Sequence, residues 1–191
     1  HYRGGDLQGV LKKLKEGYFD DLHINILWLS PLYEGPNTIE KGQDGYPYSG
    51  YHGYWPASPR RVEPRFGSQS LLRQISRAAH KRGMRVLLDL ATNHVHLKHP
   101  YYQRYKKTWF GKKQICIELN WKKPINCWFD PFLPDIDYRQ YSAAKVMLED
   151  AVFWAKSGEI DGFRVDAVKH MLPFFTKNLR HQLNEEVTHH Q

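Results

Sequence analysis

The stretch Met84-Arg85-Val86-Leu87-Leu88-Asp89-Leu90 is a nearly unbroken apolar run of strand length, and it ends just before the polar pair Asn93-His94. Apolar sequence of this length without alternation is what a strand covered on both faces requires. The residues before it predict a helix, with Leu71, Leu72, Ile75 and Ala79 on one face and Gly83 as the stop. Working outward, the same pairing recurs. Asp6 predicts the cap of a helix striped by Leu7, Val10, Leu11 and Leu14, which leads to a strand over Ile24-Asn25-Ile26-Leu27-Trp28-Leu29, closed at Ser30-Pro31. Downstream, a helix from about Ala143 to Lys156, ended by Gly158, precedes a strand over Gly162-Phe163-Arg164-Val165-Asp166-Ala167-Val168. A last helix reaches about Val187. Helix and strand in turn predict an α/β fold with parallel strands and right-handed crossovers. Two stretches interrupt the rhythm: 33–69, irregular and crowded with Gly, Pro and Tyr, and 95–134, polar and rich in Trp and Lys. Loops of such length in a compact protein usually carry function.

Composition narrows the classes. The 191 residues are 41% hydrophobic and 25% charged, which excludes wholesale disorder. No run approaches the ~18 apolar residues of a membrane span. The 28 Lys and Arg exceed the 20 Asp and Glu, a net charge of +8 that raises the question of a nucleic-acid partner. The base is concentrated, however: residues 95–125 hold eight basic residues against one acidic, around Lys98, Arg104, Lys106, Lys107, Lys112, Lys113, Lys122 and Lys123. A solvated loop face accounts for that pattern, and polyanion contact remains the alternative. Six Trp, twelve Tyr and nine Phe are more ring surface than a small core needs, which suits a flat-faced ligand. Cys116 and Cys127 close a small disulfide in an oxidising compartment or stay thiols in the cytosol. An extracellular location is the expectation, a cytoplasmic one the alternative.

Polar residues gather at the carboxyl ends of the predicted strands: Ser30, Asn93-His94, and Arg164 with Asp166. That is where an open sheet or a barrel carries its active face. Arg164 and Asp166 are two apart, hence on one side of their strand. A guanidinium beside a carboxylate favours its charged form, which a nucleophile needs. A structural ion pair is the competing reading, and Asp89 is placed to hold Arg164 from its other side. The loop Gly50-Tyr51-His52-Gly53-Tyr54-Trp55 offers rings for a sugar face and His52 as a donor to a hydroxyl, with turn packing as the alternative.

Six segments together carry a resemblance. Asp89-Leu90-Ala91-Thr92-Asn93-His94 resembles the DxxxNH segment of the α-amylase family of glycoside hydrolases. Gly162-Phe163-Arg164-Val165-Asp166-Ala167-Val168-Lys169-His170 is similar to its GFRxDxxKH segment, and Leu133-Pro134-Asp135-Ile136-Asp137 to its LPDLD segment. Gly4-Gly5-Asp6-Leu7, Trp28-Leu29-Ser30-Pro31 and Tyr51-His52-Gly53-Tyr54 follow the family's order and spacing. The resemblance implies part of a (β/α)8 TIM barrel, about strands two to four, with barrel portions at 1–94 and 135–191. Residues 95–134 would be the domain inserted after strand three. It implies a retaining hydrolase of α-1,4-glucans, acting through a covalent glycosyl intermediate on Asp166 with Arg164 beside it. His52, Tyr54, Trp55 and His94 would line the sugar subsite, Tyr54 by stacking, and Lys169 and His170 the leaving-group side. Asn93, Asp135 and the backbone carbonyl of His170 would hold a structural calcium, all three presenting oxygen.

Retaining hydrolysis also needs an acid/base carboxyl about 5–5.5 Å from the nucleophile. Glu185 and Glu186 lie in Leu183-Asn184-Glu185-Glu186-Val187, which reads as a helix tail, and neither is assigned as that acid. The expectation is therefore a segment of a longer enzyme that hydrolyses starch negligibly as 191 residues. The competing readings are a non-catalytic scaffold or binding subunit and an α-glucosidase or transglycosylase of the same family.

Overall fold

The computed structural model describes residues 5–116, 125 and 127–187. Three strands form a parallel sheet: β1 (Ile26–Leu29), β4 (Arg85–Leu90) and β5 (Gly162–Val165), in the order β1-β4-β5. Helix α3 (Gln69–His80) connects β1 to β4, and α5 (Tyr141–Gly158) connects β4 to β5; α1 (Leu7–Lys15) and the short α2 (Tyr18–Asp21) precede β1. After β5 come a 3-10 turn (Val168–His170) and α6 (Pro173–Glu186). Helix–strand alternation around parallel strands is as the sequence predicts.

Side-chain alternation sorts the sheet into two faces. Val86, Leu88 and Leu90 point from β4 into a core shared with Leu11 and Leu14 of α1, Leu72, Ile75 and Ala79 of α3, and Ala151, Trp154 and Ala155 of α5. Trp154 is 1% exposed, and its indole N–H is satisfied by the Pro59 carbonyl at 2.9 Å. The opposite face carries Ile26 and Trp28, about half exposed, with the polar Asp89 and Arg164.

Local chemistry sets the boundaries. The Asp6 carboxylate accepts from the Gly9 N–H at 2.7 Å, capping α1, and Ser68 caps α3 by accepting from the Leu71 N–H. Several boundaries differ from the sequence reading. The first strand begins at Ile26, because His23 (φ 54) turns the chain just before it. Residues 33–69 are not wholly irregular: β2 (Ile39–Lys41) pairs antiparallel with β3 (Pro47–Ser49), turning through Gly45 at φ 84. The left-handed residue ending α5 is Glu159 (φ 51), not Gly158. Gly158 is needed for another reason, since a β-carbon there would meet a Leu72 methyl at 2.8 Å. The last strand stops at Val165, because Ala167 adopts φ 51 and bends the chain into the 3-10 turn. Cys116 and Cys127 are joined in a disulfide. Lys122 and Lys123 of the basic segment lie outside the described residues.

Short α4 (Pro100–Tyr105) is capped by His99, whose Nδ1 accepts from the Tyr101 N–H at 3.1 Å while the residue is 2% exposed. Burial, and then the nearby His96, push the His99 pKa down to about 3. A positive charge is also unwelcome at a helix amino end. The unfolded chain takes up a proton at His99 near pH 6.5 and the folded chain does not. Stability from this residue is thus complete above pH 6.5 and lost as pH falls toward 3. At pH 5 the loss is about 2 kcal/mol. His99→Asn keeps an acceptor at the cap and should remove about that much of the difference in unfolding free energy between pH 7 and pH 5, measured with urea. An unchanged difference would refute the assignment.

Candidate active site

The β4–β5 register pairs Asp89 with Arg164, so one arginine meets two carboxylates. Arg164 Nη1 donates to both Asp89 oxygens at 3.1 Å and to Asp166 Oδ1 at 2.6 Å. Asp89 is wholly buried, and its Oδ2 also accepts from the Tyr54 hydroxyl at 2.8 Å and the Trp28 indole N–H at 3.3 Å. The guanidinium lies 5.2 Å from the Trp28 ring centroid, within cation–π range. Burial works against the arginine's charge, but its bonds to Asp89 and Asp166 outweigh that and its pKa is raised. A permanently charged fork therefore stands against Asp166, itself held just past β5 by its N–H bond to the Leu90 carbonyl at 3.1 Å.

The ring residues assemble beside this pair. Tyr54 hydrogen-bonds Asp89, and burial followed by that contact pushes its hydroxyl up to about 12, so it stays a donor. His94 Nε2 donates to the Tyr54 carbonyl at 2.9 Å, which sets the proton on Nε2; burial lowers the His94 pKa and keeps the ring neutral. His52 Nδ1 accepts from the Tyr54 N–H at 3.1 Å, leaving its Nε2 as the N–H donor, and burial lowers this pKa too. A cleft of about 760 Å³ opens alongside, lined by Trp28, Pro31, Tyr51, His52, Tyr54 and Phe66. It shares His52 and Tyr54 with the carboxylate centre without including Asp166.

The motif glycine between these rings has a stated job. Gly53 lies at φ 81, and a β-carbon there would collide with the Pro31 carbonyl oxygen just beyond β1. Only glycine lets the loop lie this close to the strand end. Gly53→Ala should destabilise the protein by more than ~1 kcal/mol and displace His52 and Tyr54. A calorimetric Tm within a degree of wild type would refute this.

The remaining predicted residues are placed as follows. Trp55 is 8% exposed and packs edge-on against Phe132 at 4.6 Å and His52 at 5.1 Å, so its ring supports His52 instead of facing the cleft. Lys169 is exposed on the 3-10 turn, and His170 follows it. Asn93 and Asp135 are buried, and Asn93 hydrogen-bonds the Asp135 carboxyl. Asp135 Oδ1 is buried with no hydrogen-bond partner among the described residues, and burial pushes its pKa up to about 9. That is the state of a carboxylate short of a counter-charge. Glu186 pairs with Lys156 of α5 at 2.8 Å, on the helix layer, as a helix-tail position demands.

Two contributors escaped the sequence reading. Trp28 reads as one apolar residue in a strand, yet period-2 alternation with Ile26 puts it on the face of Asp89 and Arg164. Phe129 sits edge-on to both His94 at 5.2 Å and His170 at 4.6 Å, and Gln43 donates to its carbonyl at 2.6 Å. No local pattern marks Phe129, because its partners are distant in sequence.

Comparison with known proteins identifies the family. The Alpha-amylase family profile, described as "Alpha amylase, catalytic domain", matches residues 2–190. Alpha-amylase 3 of Dictyoglomus thermophilum is 29% identical over 93% of this chain and 35% of its own length. The α-amylase structure from Geobacillus thermoleovorans, complexed with acarbose, superposes with a TM-score of 0.81 at 32% identity, covering 96% of this chain and 39% of that one. The Anoxybacillus α-amylase structure gives 0.82 at 31% identity, covering 96% and 38%. The chain spans about a third of the length of the curated relatives it matches. Carboxylates, arginine and rings thus stand together in a chain that the family's catalytic domain matches almost end to end: it belongs to the α-amylase family.

Proposed function

We propose that this chain carries the nucleophile side of a retaining α-glucan hydrolase, its three parallel strands forming an arc of a (β/α)8 barrel. The observation that carries this reading is Arg164 bridging Asp89 and Asp166 at the carboxyl ends of β4 and β5. Asp166 is the nucleophile: its carboxylate attacks the anomeric carbon as the bond to the leaving oxygen breaks, forming a glycosyl ester, and the leaving oxygen takes its proton from an acid/base carboxyl that no residue of this chain is assigned to supply. Arg164 orients that carboxylate and compensates its charge, while Asp89 holds Arg164 in place. His52, neutral, donates from Nε2 to a sugar hydroxyl; His94, whose one proton is committed to the Tyr54 carbonyl, lines the subsite and holds the ring loop, and Tyr54 presents its ring. Lys169 and His170 serve the leaving-group side. Trp55 acts one layer back, by packing. Intact Asp166, Arg164 and His94 argue against a scaffold that has lost its chemistry. Polyanion binding finds no support in the site; the exposed Lys98, Arg104, Lys106, Lys107, Lys112 and Lys113 are read as a solvated surface, with 95–134 as the inserted domain. The disulfide supports an oxidising, extracellular location.

The test uses α-maltosyl fluoride, because fluoride departs without a proton donor and so needs no acid/base carboxyl. The chain should release fluoride from the α anomer and not from the β anomer. Release from neither, or from both equally, would overturn the reading.

The donor set at Asn93, Asp135 and the His170 carbonyl fits a hard cation, all oxygen, with one buried carboxylate oxygen unpartnered. Calcium bound there would supply the missing counter-charge and tie the end of β4 to the turn after β5. Saturating Ca2+ should raise Tm by several degrees over chelator-treated protein, and Asp135→Asn should abolish the rise. An equal rise in the variant would exclude this site.

A further inference from the structure

Cys116 and Cys127, eleven residues apart, come together with His170 of the turn after β5. One sulfur from each cysteine and one ring nitrogen of His170 all lie within 4.8 Å of one another. The sulfurs form a disulfide, Cys127 is buried, and Cys116 and His170 are part-exposed. Tetrahedral zinc, with Zn–S near 2.3 Å and Zn–N near 2.0–2.1 Å, holds its ligand atoms roughly 3.5–4 Å apart. Opening the S–S bond lets the two sulfurs separate to about that spacing with small shifts of side chain. The imidazole is already a neighbour, and its edge contact with Phe129 at 4.6 Å holds the ring in place.

We propose that the reduced protein binds one soft or borderline divalent cation, Zn2+ or a congener such as Co2+, through Cys116, Cys127 and His170, so that the disulfide and the metal site exclude each other. A phosphine reductant attacks one sulfur and the S–S bond breaks. Water supplies the oxygen of the phosphine oxide and the two protons that leave both sulfurs as thiols. Metal binding then releases those two protons, since thiolate is the ligand form. Three protein ligands leave the fourth position to water, reached from the exposed side. These nitrogen and sulfur donors differ in kind from the oxygen set at Asn93 and Asp135, so the two sites select different ions.

Cobalt(II) is the probe, added to the 191-residue chain before and after phosphine reduction and followed by absorption. The reduced chain should bind about one equivalent with a thiolate-to-cobalt charge-transfer band in the near ultraviolet and tetrahedral bands in the visible. The oxidised chain should show neither. His170→Gln, which leaves both cysteines, should weaken binding by at least about tenfold, and Cys127→Ser should remove the charge-transfer band. No thiolate band on reduction would overturn the proposal. Unaltered affinity in His170→Gln would also overturn it, since two cysteines of an opened chain then suffice.

Discussion

Asp166→Asn is expected to lower fluoride release from α-maltosyl fluoride by on the order of a thousandfold or more. The amide is nearly the same shape as the carboxylate, so the change removes nucleophilicity and little else. Arg164 keeps Asp89 as a partner through two 3.1 Å contacts, and no buried group is stranded. Urea unfolding should therefore shift by less than ~1 kcal/mol. Asp166→Ala adds a sharper readout. With the carboxylate gone, azide has room to attack the anomeric carbon from the vacated face as fluoride leaves, and the product should be the β-glycosyl azide. Full activity in Asp166→Asn, or an α-configured azide product, would remove Asp166 from the nucleophile's role.

The second large effect is on stability. Asp89→Ala removes a carboxylate that is 0% exposed and accepts from Arg164, Tyr54 and Trp28. Breaking a buried ion pair from one side costs about 3–5 kcal/mol. Arg164 is 39% exposed at its side chain and keeps Asp166, so screening places the expected loss near the lower end, about 3 kcal/mol. The Tyr54 hydroxyl, pushed up to about 12 by burial and by Asp89, should titrate closer to 10 in the variant. A stability loss below ~1 kcal/mol with unchanged tyrosine titration would mean that Asp89 does not organise the site.

These two aspartates also show what was legible from sequence. The apolar run ending at Asp89 and the Arg164–Asp166 spacing of two could be read residue by residue, because strand periodicity forces i and i+2 to one side. The Asp6 cap follows likewise from local chemistry, since a cap needs a short acceptor, whereas the Ser68 cap and the left-handed turn of Gly53 against the Pro31 carbonyl came with the structure. Boundaries were less legible. β5 was expected to Val168 and ends at Val165, because Ala167 takes a left-handed φ that its side chain gives no reason to predict. Within 33–69, the hairpin β2–β3 was missed because Gly, Pro and Tyr obscure any alternation. Glu40 at the hairpin's start reaches His96 at 3.1 Å, a contact between segments 56 residues apart.

The sequence by itself determined the α/β class, the order of helices and strands, and the family through six ordered segments. Each of these depends on residues near one another along the chain. The register of β4 on β5, which turns the expected approach of Asp89 to Arg164 into bonds from one guanidinium nitrogen to two carboxylates, was decided only by the tertiary structure. So were the burial that packs Trp55 against Phe132 and His52, the pairing of Cys116 with Cys127 beside His170, and the place of Phe129 between two histidines. The physical reason is the same in each case. Periodicity and turn chemistry are local, whereas burial, register and ring contacts depend on which distant segments the packed core brings together.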